Sequence, residues 1–362
     1  MNTSGGYASW TAVSSAIKAA ASKGARAGGP DVNAQIVSAR VDRFLSRVFA
    51  DGEESGWLLK GGTSMLARVP RTRATKDVDL AAGGGSLDDA IVDLQRCAKR
   101  DLGDHLGFEL TSSRVTGGGD NQLGVQTRRV VFSCRDQATG RKIGDVPVDV
   151  VVGDAPVGEV ETREPVNRLE LSRPLRAHPY RLYPVVDQVA DKVCATMATG
   201  YPGGMASSRV KDLVDLVVLA RTQRMDLDQL RVAIATKSAL SGLKPFASFA
   251  IPPGWGKRYR ALASTTPAAG GLVDAEEAAA FVGQVINPAL GPASEQTAVW
   301  VPGAGWADPD HLEAAASQAC LDDDGGGYVR VRRHVRSGWP VRAHWRAPRG
   351  AIGQDPHPPR GP

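Results

Sequence analysis

Cysteine is sparse and unpatterned in this chain. Cys97, Cys134, Cys194 and Cys320 stand far apart, with no CxxC and no histidine at zinc-like spacing. That excludes a zinc-binding or disulfide framework and leaves the thiols as small buried hydrophobes. Long apolar runs are also missing: none approaches the roughly 20 residues of a membrane span. The first residues, MNTSGGYASWTAVSSAIKAAASKG, have neither the basic start nor the apolar centre of a secretory signal. A cytoplasmic protein without a membrane partner is therefore expected. There is no internal repeat, and no glycine-rich loop ends in Gly-Lys-Ser/Thr, which disfavours a P-loop NTPase.

A broad excess of positive charge is absent too, although the net charge of +5 and the pI near 9.1 suggest one. Residues 328–362 hold eight arginines against the single acid Asp355, a net +7, which leaves residues 1–327 at −2. Basicity is a property of the tail, so the pI does not mark the body as a nucleic-acid binder.

What is present begins with size. The 362 residues, 42% of them hydrophobic, suffice for two compact units. A helix is expected within 8–29 and another over about 31–50, where Ile36, Val37, Val41, Phe44, Leu45 and Val48 follow the i, i+3/i+4 rule. Asp77-Val78-Asp79-Leu80 alternates like a half-buried strand, and residues 88–102 read as an amphipathic helix. Strands are expected near 108–110, 125–133 and 146–152, with a hairpin turn at Gly117-Gly118-Gly119-Asp120. A Pro- and Arg-punctuated connection over 163–184 leads to helices near 185–199, 209–221, 226–236 and 274–287. Beyond about residue 307 a tail rich in Gly, Pro, Arg and Trp is expected to be low in order.

The chemistry lies in a combination of motifs. Gly61-Gly62-Thr63-Ser64 precedes Asp77-Val78-Asp79, and Val148-Asp149-Val150 follows about 70 residues later. On a strand, residues i and i+2 share a face, so Asp77 and Asp79 present two carboxylates together, and Asp149 on a second strand supplies a third. Crowded carboxylates repel unless a cation neutralises them. Mg²⁺ (or Mn²⁺) bound by carboxylates and substrate phosphates fits that need. Gly61 and Gly62 let backbone approach a phosphate, with the Thr63 or Ser64 hydroxyl near a helix N-terminus. Taken singly, each motif has an ordinary reading: a capping DxD, a GGTS turn, an edge-strand aspartate. Their order and spacing favour a metal-dependent site acting on an NTP.

This pattern resembles the DNA polymerase β-type nucleotidyltransferase superfamily. The longer context, Arg43-Phe44-Leu45, Leu59-Lys60-Gly61-Gly62-Thr63, Arg73-Ala74-Thr75-Lys76-Asp77-Val78-Asp79-Leu80, Asp191-Lys192-Val193-Cys194-Ala195 and Ser208-Arg209-Val210-Lys211-Asp212-Leu213-Val214-Asp215-Leu216, resembles the AbiEii/AbiGii toxin family. Ile286-Asn287-Pro288-Ala289-Leu290 and Val299-Trp300 through Trp306 resemble that family's closing segment, so the likeness spans about residues 10–307.

The resemblance implies an α+β architecture: a polymerase β-type domain with a mixed sheet and flanking helices over 1–180 and a helical domain over 181–307, followed by the basic tail over 308–362 whose composition marks it as low in order. It implies a toxin of a toxin–antitoxin or abortive-infection (phage defence) system that moves NMP from NTP to an RNA acceptor, the tRNA 3′ end, and is neutralised by a cognate antitoxin. On this chain it carries phosphate binding to Gly61, Gly62, Thr63 and Ser64, metal to Asp77, Asp79 and Asp149, and further catalytic roles to Lys192 and Asp212. Lys192 sits beside the helical stripe Val185, Val189, Val193, Met197, where it can reach a triphosphate or snorkel into solvent. Asp212 can orient Lys192 or pair within its helix with Arg209. The family often has Glu where this chain has Asp191, and the tail has no counterpart. Two other functions share these motifs: nucleotidylation of a protein hydroxyl, and NTP binding without turnover.

Overall fold

The computed structural model describes residues 6–75, 77–116, 127–153, 155–199, 207–291 and 297–310, and the backbone of four short strands between 329 and 346. Met1–Ala307 form one compact unit and Asp308–Pro362 a second.

The first unit is built on a seven-stranded sheet ordered β3-β4-β5-β2-β1-β7-β6. Its strands are β1 (Trp57–Lys60), β2 (Val78–Gly83), β3 (Leu106–Thr116), β4 (Thr127–Asp136), β5 (Lys142–Gly153), β6 (Glu161–Arg163) and β7 (Tyr180–Leu182). The sheet is mixed, as expected: β2–β5 and β1–β7 are parallel, the other pairs antiparallel. Strict alternation sets its two faces. Val78 and Leu80 of β2 and Val146, Val148 and Val150 of β5 point into a core free of solvent. The intervening residues, Asp79 and Asp149 among them, point the other way.

Three helices cover the apolar face. In α1 (Trp10–Arg26), α2 (Val32–Val48) and α4 (Leu87–Ala98), Val13, Ile17, Phe44, Leu45, Val48, Ile91 and Leu94 join that core. Each begins with a side-chain cap, from Ser9, Asp31 and the Ser86/Asp89 capping box. α2 is fastened by buried charge. Asp104 accepts from Arg43 Nε at 2.7 Å and from Arg47 Nη2 at 2.6 Å and Nη1 at 2.9 Å, so both arginines are paired and hydrogen-bonded inside the protein.

A second core is helical. It gathers α5 (Val185–Met197), α6 (Val210–Thr222), α7 (Leu227–Leu240), α8 (Gly256–Ala263) and α9 (Ala275–Leu290), and Met65 and Val69 from the end of the short α3 (Gly61–Arg68). A three-stranded sheet, β10 (Gly305–Ala307), β9 (Val299–Val301) and β8 (Met225–Asp226), closes this region. Trp300 Nε1 donates to the Ala220 carbonyl at 2.7 Å there. Helix α3 belongs to both halves: it follows β1 directly and its far end packs into the helical core.

Several elements differ from the sequence expectation. The 163–184 connection contains β7, which pairs with β1 through Leu182 and Leu59, and β6 just before it pairs with β7. These three-residue strands carry no periodic pattern; β1 offers an edge to β7, and β7 offers one to β6. Helix α8 was not expected either; it is held by Tyr259, whose hydroxyl donates to the Leu272 carbonyl at 3.0 Å. The Gly117–Asp120 turn lies outside the described residues. The 308–362 tail, expected to be low in order, lies largely outside them too. Within it β11 (Val329–Val331) pairs with β14 (His344–Arg346), and β12 (His334–Arg336) with β13 (Trp339–Val341).

Candidate active site

The pairing register places the charged residues of the sheet in one row. Lys60 on β1 lies opposite Asp79 on β2, Asp79 beside Asp149 on β5, and Asp149 opposite Arg129 on β4. Four neighbouring strands thus present cation, anion, anion and cation across the open face of the sheet. Two carboxylates on adjacent strands, roughly 4.8 Å apart along the ladder direction, need positive charge close by. Asp77 stands one residue before β2, half exposed, and completes the acidic set.

Arg129 supplies part of that charge. Its Nη2 is 2.6 Å from Asp77 Oδ1 and its Nε 3.1 Å from Asp149 Oδ1. Asp79 is served from elsewhere. Burial pushes its carboxyl above the usual range, while Lys192, Lys60 and Lys211 pull the other way. Asp149 is raised as well, by burial first and by the charges of Asp79 and Asp77, against the pull of Arg129.

The opposite wall comes from α5 and α6. Lys192 Nζ is buried and donates to Asp215 Oδ2 at 2.6 Å and to Asp212 Oδ1 at 3.1 Å. Asp212 uses its second oxygen for Arg209 Nε at 2.6 Å. Asp215 also accepts a bidentate pair from Arg73, both bonds at 2.7 Å. Arg73–Asp215–Lys192–Asp212–Arg209 is therefore one continuous chain of charge-assisted bonds. Asp212 is bonded to Arg209 and to Lys192 at once. The snorkelling alternative for Lys192 does not hold, because the ammonium is inside. Burial would lower the Lys192 pKa, but Asp215 and Asp212 outweigh it and raise it. Burial likewise pushes Asp212 up, yet Lys192 and Arg209 hold it down at about 2.

Between the walls lies a cavity of about 300 Å³ lined by Gly61, Gly62, Asp77, Asp79, Asp149, Lys192 and Asp212. These sequence-predicted residues come together. Thr63 and Ser64 do not line it: the Thr63 hydroxyl donates to the Asp77 carbonyl at 2.9 Å, and Ser64 is wholly buried, accepting from Arg68 Nη1 at 2.5 Å. Both hydroxyls hold the fold around the loop. Gly61 has a local reason to be glycine. Its φ is +60°, and a Cβ there would stand 1.8 Å from Asp79 Oδ2. The Gly61 carbonyl accepts from Gln188 Nε2 of α5 at 2.9 Å, which ties the glycine turn to the helical wall.

The cavity also exposes residues that sequence reasoning did not select. Lys60, Arg73, Arg129, Asp191 and Lys211 line it. Lys60 and Arg73 were inside quoted motifs, and their flanking position was a usable signal. Arg129 had none, because an arginine in a strand is assigned to a site only once its neighbours are known. Asp191 pairs with Lys60 at 2.9 Å.

The donor chemistry fits a hard divalent cation. The acidic set offers only carboxylate oxygens, the preference of Mg²⁺ and Mn²⁺, and the Arg129 guanidinium already stands as a cation between two of them. As placed, no three Asp, Glu, His or Cys side chains among the described residues surround a single point.

Residues 43–281, which contain the glycine turn, the sheet carboxylates and the Lys192 network, match a family model for nucleotidyltransferases. The chain belongs to that family, described as the nucleotidyl transferase AbiEii toxin of type IV toxin–antitoxin systems. No curated protein matches the sequence. Among solved structures, the chain is similar to MenT4, a nucleotidyltransferase toxin from Mycobacterium tuberculosis H37Rv, at 16% identity, covering 76% of this chain and 97% of the other, with a TM-score of 0.42. It is similar to JHP933 from Helicobacter pylori at 14% identity, over 81% and 97% of the two chains, with a TM-score of 0.35. Among the described residues no helix is long and apolar enough to cross a membrane.

Proposed function

We propose that this nucleotidyltransferase moves a nucleoside monophosphate from an NTP to the 3′ end of a tRNA in the cytoplasm. Translation stops as a result, and a cognate antitoxin restrains the activity as part of a phage-defence system. The observation that carries the reading is the facing of Asp79 and Asp149, in register on adjacent strands, by a buried Lys192 held between two aspartates. That arrangement pairs an acidic site for a metal and an attacking hydroxyl with a fixed cation for a triphosphate.

The roles follow from position. Asp77, Asp79 and Asp149 would hold Mg²⁺ or Mn²⁺, which supplies Lewis acidity for the acceptor hydroxyl and neutralises charge on the departing pyrophosphate. Gly61 and Gly62 open α3, whose N-terminus has no side-chain cap, so its amides suit a phosphate. Lys192 offsets triphosphate charge where water is scarce, and Asp212 and Asp215 keep its ammonium charged and aimed. Thr63 and Ser64 shape the loop.

Purified protein incubated with labelled NTPs, Mg²⁺ and total tRNA should yield labelled tRNA, and Asp79→Ala should abolish both the label and growth arrest on induction. Equal arrest by wild type and Asp79→Ala would defeat the reading. The net −2 of residues 1–327 favours a second acceptor, a protein hydroxyl; label that resists RNase in a protein band would decide for it.

A further inference from the structure

We infer that Arg129 is the resident counter-cation of the acidic site: it holds Asp77 and Asp149 together and competes with a divalent metal for them. The inference rests on the metal-site reading above.

Its basis is the division of labour along the charged row. Asp79, raised by burial, is drawn the other way by Lys192 and Lys211 on the helical wall and by Lys60 across the sheet. Asp77 and Asp149 depend on Arg129, whose nitrogens lie 2.6 and 3.1 Å from their Oδ1 atoms. A carboxylate oxygen ligating Mg²⁺ at ~2.1 Å with a guanidinium nitrogen at those distances would bring two cations close together, which their repulsion opposes. Metal and Arg129 therefore compete for these oxygens.

The strand neighbours explain why Arg129 rests on the acids. On its other flank, across β3–β4, its register partner is Arg114, exposed near the sheet edge and of like charge. Attraction on one side and repulsion on the other favour the engaged position. Arg129 keeps about a quarter of its side-chain surface exposed, so it has room to leave. The site should thus bind metal weakly until a triphosphate adds its own negative charge, which couples metal loading to substrate arrival.

The test is Mn²⁺ binding to the full chain without nucleotide, read as loss of the free-ion EPR signal, for wild type, Arg129→Gln, Arg129→Lys and Arg129→Gln/Asp149→Asn. For a partly exposed ion pair, Arg129→Gln should bind Mn²⁺ about five- to tenfold more tightly than wild type, and Mn²⁺ should raise its melting temperature more. Arg129→Lys, with one compact charge unable to span both carboxylates, should shift the same way by less, and it serves if the Gln variant fails to fold. Unchanged or weaker binding in a folded Arg129 variant would overturn the role of Arg129. Failure of every protein to bind, or tight binding that survives Asp149→Asn, would overturn the metal-site reading itself.

Discussion

Replacing Asp215 by asparagine strikes the one carboxylate that serves two buried cations. It is fully buried, accepts two 2.7 Å bonds from Arg73 and a 2.6 Å bond from Lys192. Asparagine keeps one acceptor oxygen, so not all of these bonds survive; its amide turns N–H groups toward a cation and the compensating charge is gone. Breaking a buried pair from one side costs about 3–5 kcal/mol. Here the lower end applies, because Lys192 retains Asp212 and Arg73 is partly exposed. At roughly 2 °C per kcal/mol for a unit of this length, a loss of about 3 kcal/mol lowers the melting temperature by about 6 °C in calorimetry. Lys192 also loses its shorter tether, and a misplacement on the scale of 1 Å should reduce nucleotide transfer by about 10²-fold. Removing the stranded cation in Asp215→Asn/Arg73→Leu should recover much of the stability and none of the activity. An Asp215→Asn protein that melts within about 1 °C of wild type and transfers nucleotide at the wild-type rate would refute the claim that this network fixes Lys192.

Asp79→Asn should separate stability from function in the opposite sense. Because burial raises the Asp79 pKa, the ionised form opposes folding at neutral pH, so the variant should melt at or above the wild-type temperature while losing transfer. The stabilisation owed to protonated Asp79 is present in acid and fades as pH rises through its folded pKa, so the two melting curves should converge on acidification. Gly61→Ala should lose activity and destabilise by more than the about 1–2 kcal/mol of a left-handed alanine, since its Cβ collides with Asp79; denaturant melts should show partial recovery in Gly61→Ala/Asp79→Ala. Asp212, held at about 2, contributes stability above its unfolded pKa that is lost as pH falls through the folded value. The gap between wild type and Asp212→Asn in urea melts, about 2 kcal/mol near neutrality, should therefore close between pH 4 and 2.

Much of the fold was legible because the relevant forces are local. Val148 and Val150 flank Asp149, and the helical stripes of α2, α5 and α6 repeat every three or four residues, so faces could be assigned without knowing neighbours. The edge strand β6, its neighbour β7 and the short helix α8 escaped, because hydrogen bonds and packing from distant segments create them.

The candidate site divides along the same line. The sequence by itself determined its ingredients: a glycine pair before a strand, two aspartates around Val78, a third at Asp149, and a lysine and two aspartates at helical spacing. Periodicity says which face a side chain takes, and that sufficed to put Asp79 and Asp149 outside the core. Only the tertiary structure decided their partners. Strand register, a long-range property, set Asp79 beside Asp149 and brought Arg129 and Lys60 to their flanks. Packing of α5 against α6 buried Lys192 and let Asp212 serve Arg209 and Lys192 together. Contacts around the glycine turn engaged the Thr63 and Ser64 hydroxyls inside the fold. Charge can be counted along a chain, but its neutralisation depends on distances of about 3 Å between residues far apart in sequence, and folding alone sets those.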